Sequence, residues 1–247
     1  MIDLHCHLLP GVDDGPDSLD EALDMARLAV ANGISHSVIT PHIHPGRYEN
    51  QLSTLQPQLA AYRKALAQHQ INLQLTLGGE VRLSVEALAM IHQEEVPMLG
   101  QENGFRIMLL EFPHSHVLPG SDKLVRHLLE RNIRPMIAHP ERNKDVMRSL
   151  DKLLPFLEAG CLLQVTAGSV VGKFGAMAQQ RAVEMLERGW VSVLASDAHN
   201  LNYRPPELAS GRAAAARLIG EAAADDLVQG RPASILGITE ASATAPA

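Results

Sequence analysis

The sequence predicts an α/β fold in which a strand followed by a helix is repeated about seven times around a parallel sheet. Apolar segments rich in β-branched residues predict the strands, at 2–9, 35–41, 71–79, 105–112, 134–138, 161–167 and 191–196. Segments with helical periodicity alternate with them, at 18–32, 49–69, 84–93, 121–132, 149–159, 173–188 and 206–223. Because no linker-like composition divides the chain, we expect one domain over 1–239 and a disordered tail over 240–247.

The first predicted helix has the clearest boundaries. Ser18 and Glu21 have the spacing of a capping box, and Gly33 follows the last periodic residue. The apolar residues between these signals fall mostly on one side of the helix. We therefore expect this helix to pack one face against the sheet.

Length and composition narrow the class of protein. A chain of 247 residues with 46% hydrophobic residues can form a single α/β barrel. No apolar run approaches the roughly 18 residues of a membrane span, and no signal peptide is evident, so we expect no membrane insertion and a cytoplasmic location. Two cysteines are typical of a reducing compartment. The net charge of −7 argues against nucleic acid as a partner.

Histidines and carboxylates stand at the carboxyl ends of the predicted strands. His5 and His7 share one face of the first strand, whereas Cys6 points to the other face. The later strand ends carry His42, Glu80, Glu111, His139, Asp197 and His199. In a parallel barrel the carboxyl ends of the strands meet at one rim, where active sites are assembled. Six of the seven predicted strands therefore deliver such a side chain to one place.

This convergence predicts a metal site. Taken singly, Glu80 or Glu111 could be an ion-pair partner, and Asp14 in GVDDG could be a turn residue. Carboxylates brought close together repel one another unless cations compensate them. Imidazole and carboxylate without thiolate suit manganese, iron or zinc. Cys6 and Cys161 are expected in the core.

Several motifs occur in the order found in a known family: HCHLLPGVDDGP, TPHIHPGRYEN, GGEV, EFP, AHPERN, QVTAGSVVGKFG and SDAHNLNYRPPEL. From residue 2 to about 210 the chain resembles the bacterial capsule-type protein-tyrosine phosphatases of the PHP (polymerase and histidinol phosphatase) superfamily. The opening H-x-H is shared with amidohydrolases, whereas HPERN and the SDAHN-to-RPP segment are more specific. The resemblance implies a distorted (β/α)7 barrel related to the TIM barrel.

The resemblance also implies a trinuclear metal centre, most often active with manganese. The implied ligands are His5, His7, Glu80 and Asp197 for the first ion, Glu80, Glu111 and His139 for the second, and Asp14, His42 and His199 for the third. Three divalent cations outweigh four carboxylates, so the occupied centre would attract a phosphate dianion. A water shared by two ions would become a hydroxide nucleophile.

Arginines are expected to bind the phosphate, because a planar guanidinium grips phosphate through two hydrogen bonds. Arg142 in HPERN and Arg204 after SDAHN fit the phosphate-binding arginines of the family. Arg47 in HPGRYEN is a third candidate for substrate binding, with pairing to an acidic neighbour as the alternative. Cys6 is followed by no arginine until Arg27, so the Cys-x5-Arg signature of thiol phosphatases is absent from the sequence.

The leading hypothesis is a phosphatase acting on phosphotyrosine protein. By resemblance, its substrate would be an autophosphorylated bacterial tyrosine kinase that controls capsule or exopolysaccharide synthesis. A small-molecule phosphomonoesterase such as a histidinol-phosphate phosphatase is the first alternative. The arginines argue against an amidohydrolase, and the full ligand set argues against a catalytically silent PHP module. His114 and His116 could line the substrate entrance or could be exposed loop histidines.

Overall fold

The computed structural model describes residues 1–238 and has an α/β fold, as predicted. The predicted tail over 240–247 lies outside the described residues. The strands of the described part are β1 (Ile2–Cys6), β2 (His36–Ile39), β3 (His42–Ile43), β4 (Gln74–Leu77), β5 (Glu80–Arg82), β6 (Gly100–Glu102), β7 (Phe105–Glu111), β8 (Ile133–Ala138), β9 (Leu162–Thr166) and β10 (Val193–Ala195). Each predicted strand segment contains an observed strand.

Helices connect these strands. The α-helices are α1 (Leu19–Ala31), α2 (Leu52–Gln68), α3 (Val85–His92), α4 (Ser121–Glu130), α5 (Lys144–Arg148), α6 (Leu154–Glu158), α7 (Ala167–Val170), α8 (Ala176–Glu187), α9 (Ala209–Ile219), α10 (Glu221–Asp225) and α11 (Arg231–Leu236). The predicted cap of α1 is confirmed, because the Ser18 side chain accepts a hydrogen bond from the Glu21 amide at 3.3 Å. The helix predicted over 206–223 was wrong in extent: it divides into α9 and α10 at Gly220, whose φ is +88°.

Two sheets carry the strands. The first has the order β1-β2-β4, and the second has the order β10-β9-β8-β7-β5-β3. All neighbouring pairs along both orders are parallel. The residues after β10 also bond to the end of β1, since the Asp197 amide donates to the His5 carbonyl and the His7 amide donates to the Ala198 carbonyl, both at 2.8 Å.

The predicted strands over 35–41 and 71–79 are each interrupted and continue in the second sheet. β2 breaks at Thr40 and Pro41 before β3, and β4 breaks at Gly78 and Gly79 before β5. A Cβ atom on Gly78 would lie 2.8 Å from Leu99 Cδ2, so a larger residue here would require the Leu99 side chain to move. Because of the second break, Glu80 begins a strand of its own, whereas the sequence placed it at the carboxyl end of the third predicted strand.

Three strands of the described residues, β3, β5 and β6, lie outside the predicted strand segments, and β6 is the one that continues none of them. β6 pairs antiparallel with β7 through a tight turn at Asn103 and Gly104, whose φ values are +49° and +82°. An Asn-Gly pair is the strongest short-range signal for such a hairpin. Within residues 1–238, no helix is both long enough and apolar enough to cross a bilayer.

Candidate metal centre

The carboxyl ends of the strands bring the predicted ligands into one cluster, with the buried Glu80 at its middle and the exposed Asp14 at its edge. Four imidazoles lie within 3.5 Å of the Glu80 carboxylate, and they belong to His5, His7, His42 and His139. The shortest of these contacts joins His139 Nε2 to Glu80 Oε1 at 2.7 Å. Glu80 is 1% exposed, so these imidazoles take the place of water around its charge.

The remaining predicted ligands join the cluster at its edges. Asp197 Oδ1 lies 3.3 Å from His5 Nε2, and Glu111 Oε1 lies 4.0 Å from His139 Nε2. Asp14 Oδ1 lies 3.1 Å from His42 Nε2 and 3.5 Å from His199 Nε2. Every residue of the predicted ligand set is therefore in contact with another member of the set.

The donor atoms of this cluster fit divalent cations. Three groups of side chains have candidate ligand atoms within 4.8 Å of one another: His7, Asp14, His42 and His199; His5, His7 and Glu80; and His42, Glu80 and Glu111. Glu80 Oε2, Asp197 Oδ1 and His199 Nε2 are buried without a hydrogen-bond partner in the described chain. Buried lone pairs of this kind are stabilised by cations, and the mixture of imidazole and carboxylate suits manganese, iron or zinc.

Two residues that sequence reasoning missed orient the histidines. Gln164 Oε1 accepts hydrogen bonds from His5 Nδ1 at 2.8 Å and from the His139 amide at 3.2 Å. Asp13 Oδ2 accepts from His7 Nδ1 at 2.7 Å and from the His42 amide at 2.9 Å. Protonation of His5 and His7 at Nδ1 leaves their Nε2 lone pairs facing the cluster.

These two orienting residues had weak signals in the sequence. Gln164 lies in the LLQVT segment of the strand predicted over 161–167. Of the seven predicted strands, this is the one without a histidine or carboxylate at its carboxyl end. Asp13 stands next to the predicted ligand Asp14 in a segment that reads as a turn. A buried polar side chain in an apolar strand needs a partner, and that requirement points to Gln164.

The backbone conformation helps to orient the side chains of two predicted ligands. His139 and Asp197 have left-handed conformations, with φ of +33° and +54°. Such conformations cost about 1–3 kcal/mol each and persist only where the surroundings enforce them. Asp3, which is fully buried, accepts bonds from the amide and hydroxyl of Ser196 at 2.9 and 2.5 Å and so fixes the residue before Asp197.

The charges in the cluster change several pKa values. Burial disfavours the charged form of His42, but the negative charges of Glu80 and Asp14 overcome it and raise the pKa of His42 to about 11. Burial likewise opposes protonation of His7, yet Asp13 and Glu80 raise its pKa to about 9. Burial, reinforced by the charge of Glu80, raises the pKa of Glu111 to about 7. Divalent cations would therefore displace protons when they bind these residues.

The structure brings Arg142 and Arg204 to the cluster. Both guanidinium groups contact Asp197 Oδ2, and the Arg204 contact measures 2.6 Å. Arg142 also lies over the ring of Phe174, with 4.6 Å between its Cζ and the ring centroid. Both arginines thus stand beside a predicted ligand.

The other candidates for substrate contact lie outside the cluster. Arg47 is exposed over the ring of Tyr48 and makes no ion pair with any residue of the described range. His114 is exposed, and His116 bonds through Nδ1 to the hydroxyl of Ser115 at 2.7 Å. These three candidates for substrate contact therefore lie apart from the predicted metal ligands.

Thiol reagents are expected to leave catalysis unchanged. Cys6 is fully buried and donates to the Val38 carbonyl, and burial raises the pKa of its thiol well above the usual range. Burial also raises the pKa of Cys161 to about 12. Iodoacetamide treatment of the native protein at neutral pH should label neither cysteine by intact mass. Catalytic turnover should stay the same, and loss of activity in step with labelling of Cys6 would contradict this expectation.

Parallel strands with a buried cluster of histidines and carboxylates at their carboxyl ends define an α/β protein with a candidate polynuclear metal centre. Comparison with protein families is consistent with that class. The model of the CpsB/CapC family, described by its role in capsular polysaccharide synthesis, matches residues 1–237. The chain belongs to this family.

Individual relatives agree with the family. The tyrosine-protein phosphatase YwqE of Bacillus subtilis is 33% identical over 204 residues, which cover 83% of this chain and 79% of YwqE. The tyrosine-protein phosphatase CpsB of Streptococcus pneumoniae is 28% identical over 241 residues, covering 96% of this chain and 98% of CpsB. A solved structure from work on these two proteins, described as unique metal-dependent tyrosine phosphatases, has a TM-score of 0.89 and 30% identity over 97% of this chain and 95% of its own.

Proposed function

We propose that this protein is a metal-dependent protein-tyrosine phosphatase. The observation that carries the proposal is the convergence of Arg142 and Arg204 on a buried cluster of histidines and carboxylates. The cluster accounts for metal binding, and the arginines account for recognition of a phosphate. The names and coverage of the relatives support the choice of phosphotyrosine over a small phosphomonoester such as histidinol phosphate.

The centre would hold three divalent ions, with manganese preferred over iron or zinc. The ligands in this proposal are His5, His7, Asp14, His42, Glu80, Glu111, His139, Asp197 and His199. When bound, such ions supply a water of lowered pKa and positive charge for the phosphate oxygens. The burial of Glu80, Glu111 and Asp197 supports this assignment, because their charges need partners other than water.

The chain's own arginines would hold the phosphate. Each guanidinium has five N–H donors, and the contacts of Arg142 and Arg204 with Asp197 Oδ2 leave others for a phosphate oxygen. Arg47 would contribute to substrate binding from the exposed loop beside Tyr48. A phenolate leaving group has a pKa of about 10 and needs less help from a general acid than the alkoxide of phosphoserine would.

The proposal also includes the protein substrate, the cellular location and the closure of the fold. The substrate would be a phosphorylated bacterial tyrosine kinase of capsule or exopolysaccharide synthesis, which agrees with the description of the family. Two free, buried cysteines support a cytoplasmic location. The bonds between β1 and the residues after β10 support closure of the sheets into a distorted seven-stranded barrel within a single domain over 1–239.

Kinetics with two substrates test the proposal. We expect kcat/KM for a phosphotyrosine peptide to exceed that for histidinol phosphate by at least about tenfold, because contacts beyond the phosphate discriminate between them. Chelation should abolish the hydrolysis of p-nitrophenyl phosphate, and added manganese should restore it. A preference for histidinol phosphate, or turnover that persists after removal of metal, would refute the assignment.

A further inference from the structure

A third arginine, Arg82, reaches the cluster at Glu111, whereas Arg142 and Arg204 contact Asp197. Arg82 lies two residues after Glu80 in β5, so the two side chains share one face of that strand. In the ladder between β5 and β7, Arg82 stands opposite Glu111. The sequence did not single out Arg82, because it lies beyond the predicted end of the strand.

The side chain of Arg82 makes two contacts around Glu111. Its Nε lies 2.9 Å from Glu111 Oε2, and its Nη1 donates to the carbonyl of Phe112 at 3.3 Å. The side chains of Arg82 and Glu111 are 20% and 10% exposed. The ion pair with the carboxylate and the hydrogen bond to the next carbonyl along the chain together hold the guanidinium beside Glu111.

Glu111 and Asp197 have the same arrangement of their oxygens. In Asp197, Oδ2 contacts arginines while Oδ1 faces His5 at 3.3 Å. In Glu111, Oε2 contacts Arg82 while Oε1 faces His139 at 4.0 Å. Each carboxylate therefore presents one oxygen to arginine and the other to the imidazoles.

The positive charge of Arg82 also offsets the repulsion between the carboxylates of Glu80 and Glu111. Candidate ligand atoms of His42, Glu80 and Glu111 lie within 4.8 Å of one another, so two carboxylates face each other in a buried place. Their repulsion is strong where water is excluded. A fixed guanidinium on the outer oxygen of Glu111 reduces that repulsion without occupying the inner oxygen.

We propose that Arg82 is a positioning residue that holds Glu111 with a single oxygen, Oε1, directed into the metal centre. The proposal rests on the proposed function, because it concerns the same centre. A residue that orients a metal ligand in this way changes metal affinity when it is replaced, typically by about 10–100-fold. An ion pair that only stabilises the fold would change the melting temperature and leave metal affinity unaltered.

Substitution of Arg82 separates these roles. The variants are Arg82→Gln, which removes the charge, and Arg82→Lys, which keeps the charge without the planar fork. Arg106→Gln is the matched control, because Arg106 also lies in a strand of the second sheet, near the opposite end of β7, and has no ion pair among residues 1–238. Manganese affinity is measured by titration against a competing chelator, together with melting temperature and the kinetics of a phosphotyrosine peptide.

We expect Arg82→Gln to weaken the binding of one manganese ion by about 10–100-fold and to lower kcat more than it raises KM. Arg82→Lys should give an intermediate affinity, and Arg106→Gln should match the wild type. Manganese affinity within twofold of wild type in both Arg82 variants overturns the proposal. If Arg82→Gln does not fold, wild-type manganese affinity in Arg82→Lys overturns it. Since the titration needs no substrate, a wild type that binds manganese without hydrolysing phosphotyrosine would refute the proposed function alone.

Discussion

Glu80→Gln is expected to lose bound metal and more than about 100-fold in phosphatase turnover, a larger loss than replacement of an orienting partner causes. Four imidazoles lie within 3.5 Å of the Glu80 carboxylate, and all four belong to residues of the proposed centre. Glutamine keeps the size of the side chain and one of its oxygens but removes the charge. The change therefore tests electrostatic binding of cations with little disturbance of packing.

Metal content by mass spectrometry and turnover of p-nitrophenyl phosphate measure this effect. Glu86→Gln is a suitable control, because Glu86 is an exposed carboxylate of α3 only a few residues further along the chain. The control should bind metal and react as the wild type does, and circular dichroism should show that both variants are folded. A folded Glu80→Gln protein with full metal content and normal turnover would remove Glu80 from the centre.

The second large effect is expected for Arg204→Ala, which should keep its metal and lose about 10²–10³-fold in kcat/KM. Arg204 contacts Asp197 Oδ2 at 2.6 Å and is 27% exposed, so its removal leaves no sealed cavity. The loss should arise from weaker binding of the phosphate in the transition state. Arg204→Lys should recover little of it, because an ammonium group cannot form the paired hydrogen bonds of a guanidinium.

Inhibition by inorganic phosphate gives an independent measure of the same contact. The inhibition constant should rise in Arg204→Ala, because phosphate would lose two of its donors. Arg217→Ala serves as the control, since Arg217 is an exposed residue of α9 away from the cluster. Normal kinetics would exclude Arg204 from phosphate binding. Loss of metal in Arg204→Ala would instead assign Arg204 to the support of Asp197.

The predictable part of the site follows from the geometry of parallel strands. His5 and His7 share a face because side chains alternate along a strand, and Asp197 and His199 repeat the spacing after β10. The carboxyl ends of parallel strands lie at one edge, so residue type and position alone indicated a cluster. The alternation of side chains and the parallel direction of the strands are enough to predict this cluster. Neither requires knowing which distant residues pack against one another.

The rest of the site depends on tertiary contacts that no local pattern encodes. Gln164 matters because its one amide oxygen reaches both His5 and the amide of His139, and that proximity exists only in the folded chain. Glu80 starts a separate strand that pairs with β3 and β7, and the pairing with β7 joins residues about thirty positions apart in sequence. Propensity and periodicity describe neighbours along the chain, so they give no account of either contact.

Selection for thermostability and selection for catalysis act in opposite directions at His139 and Asp197. Both residues have a backbone conformation that glycine adopts freely and other residues adopt at a cost of about 1–3 kcal/mol. Variants chosen only for resistance to heat should therefore accumulate glycine at these positions and lose the metal centre as they become more stable. The two positive φ angles are in that sense a cost in stability that metal binding by these residues would require.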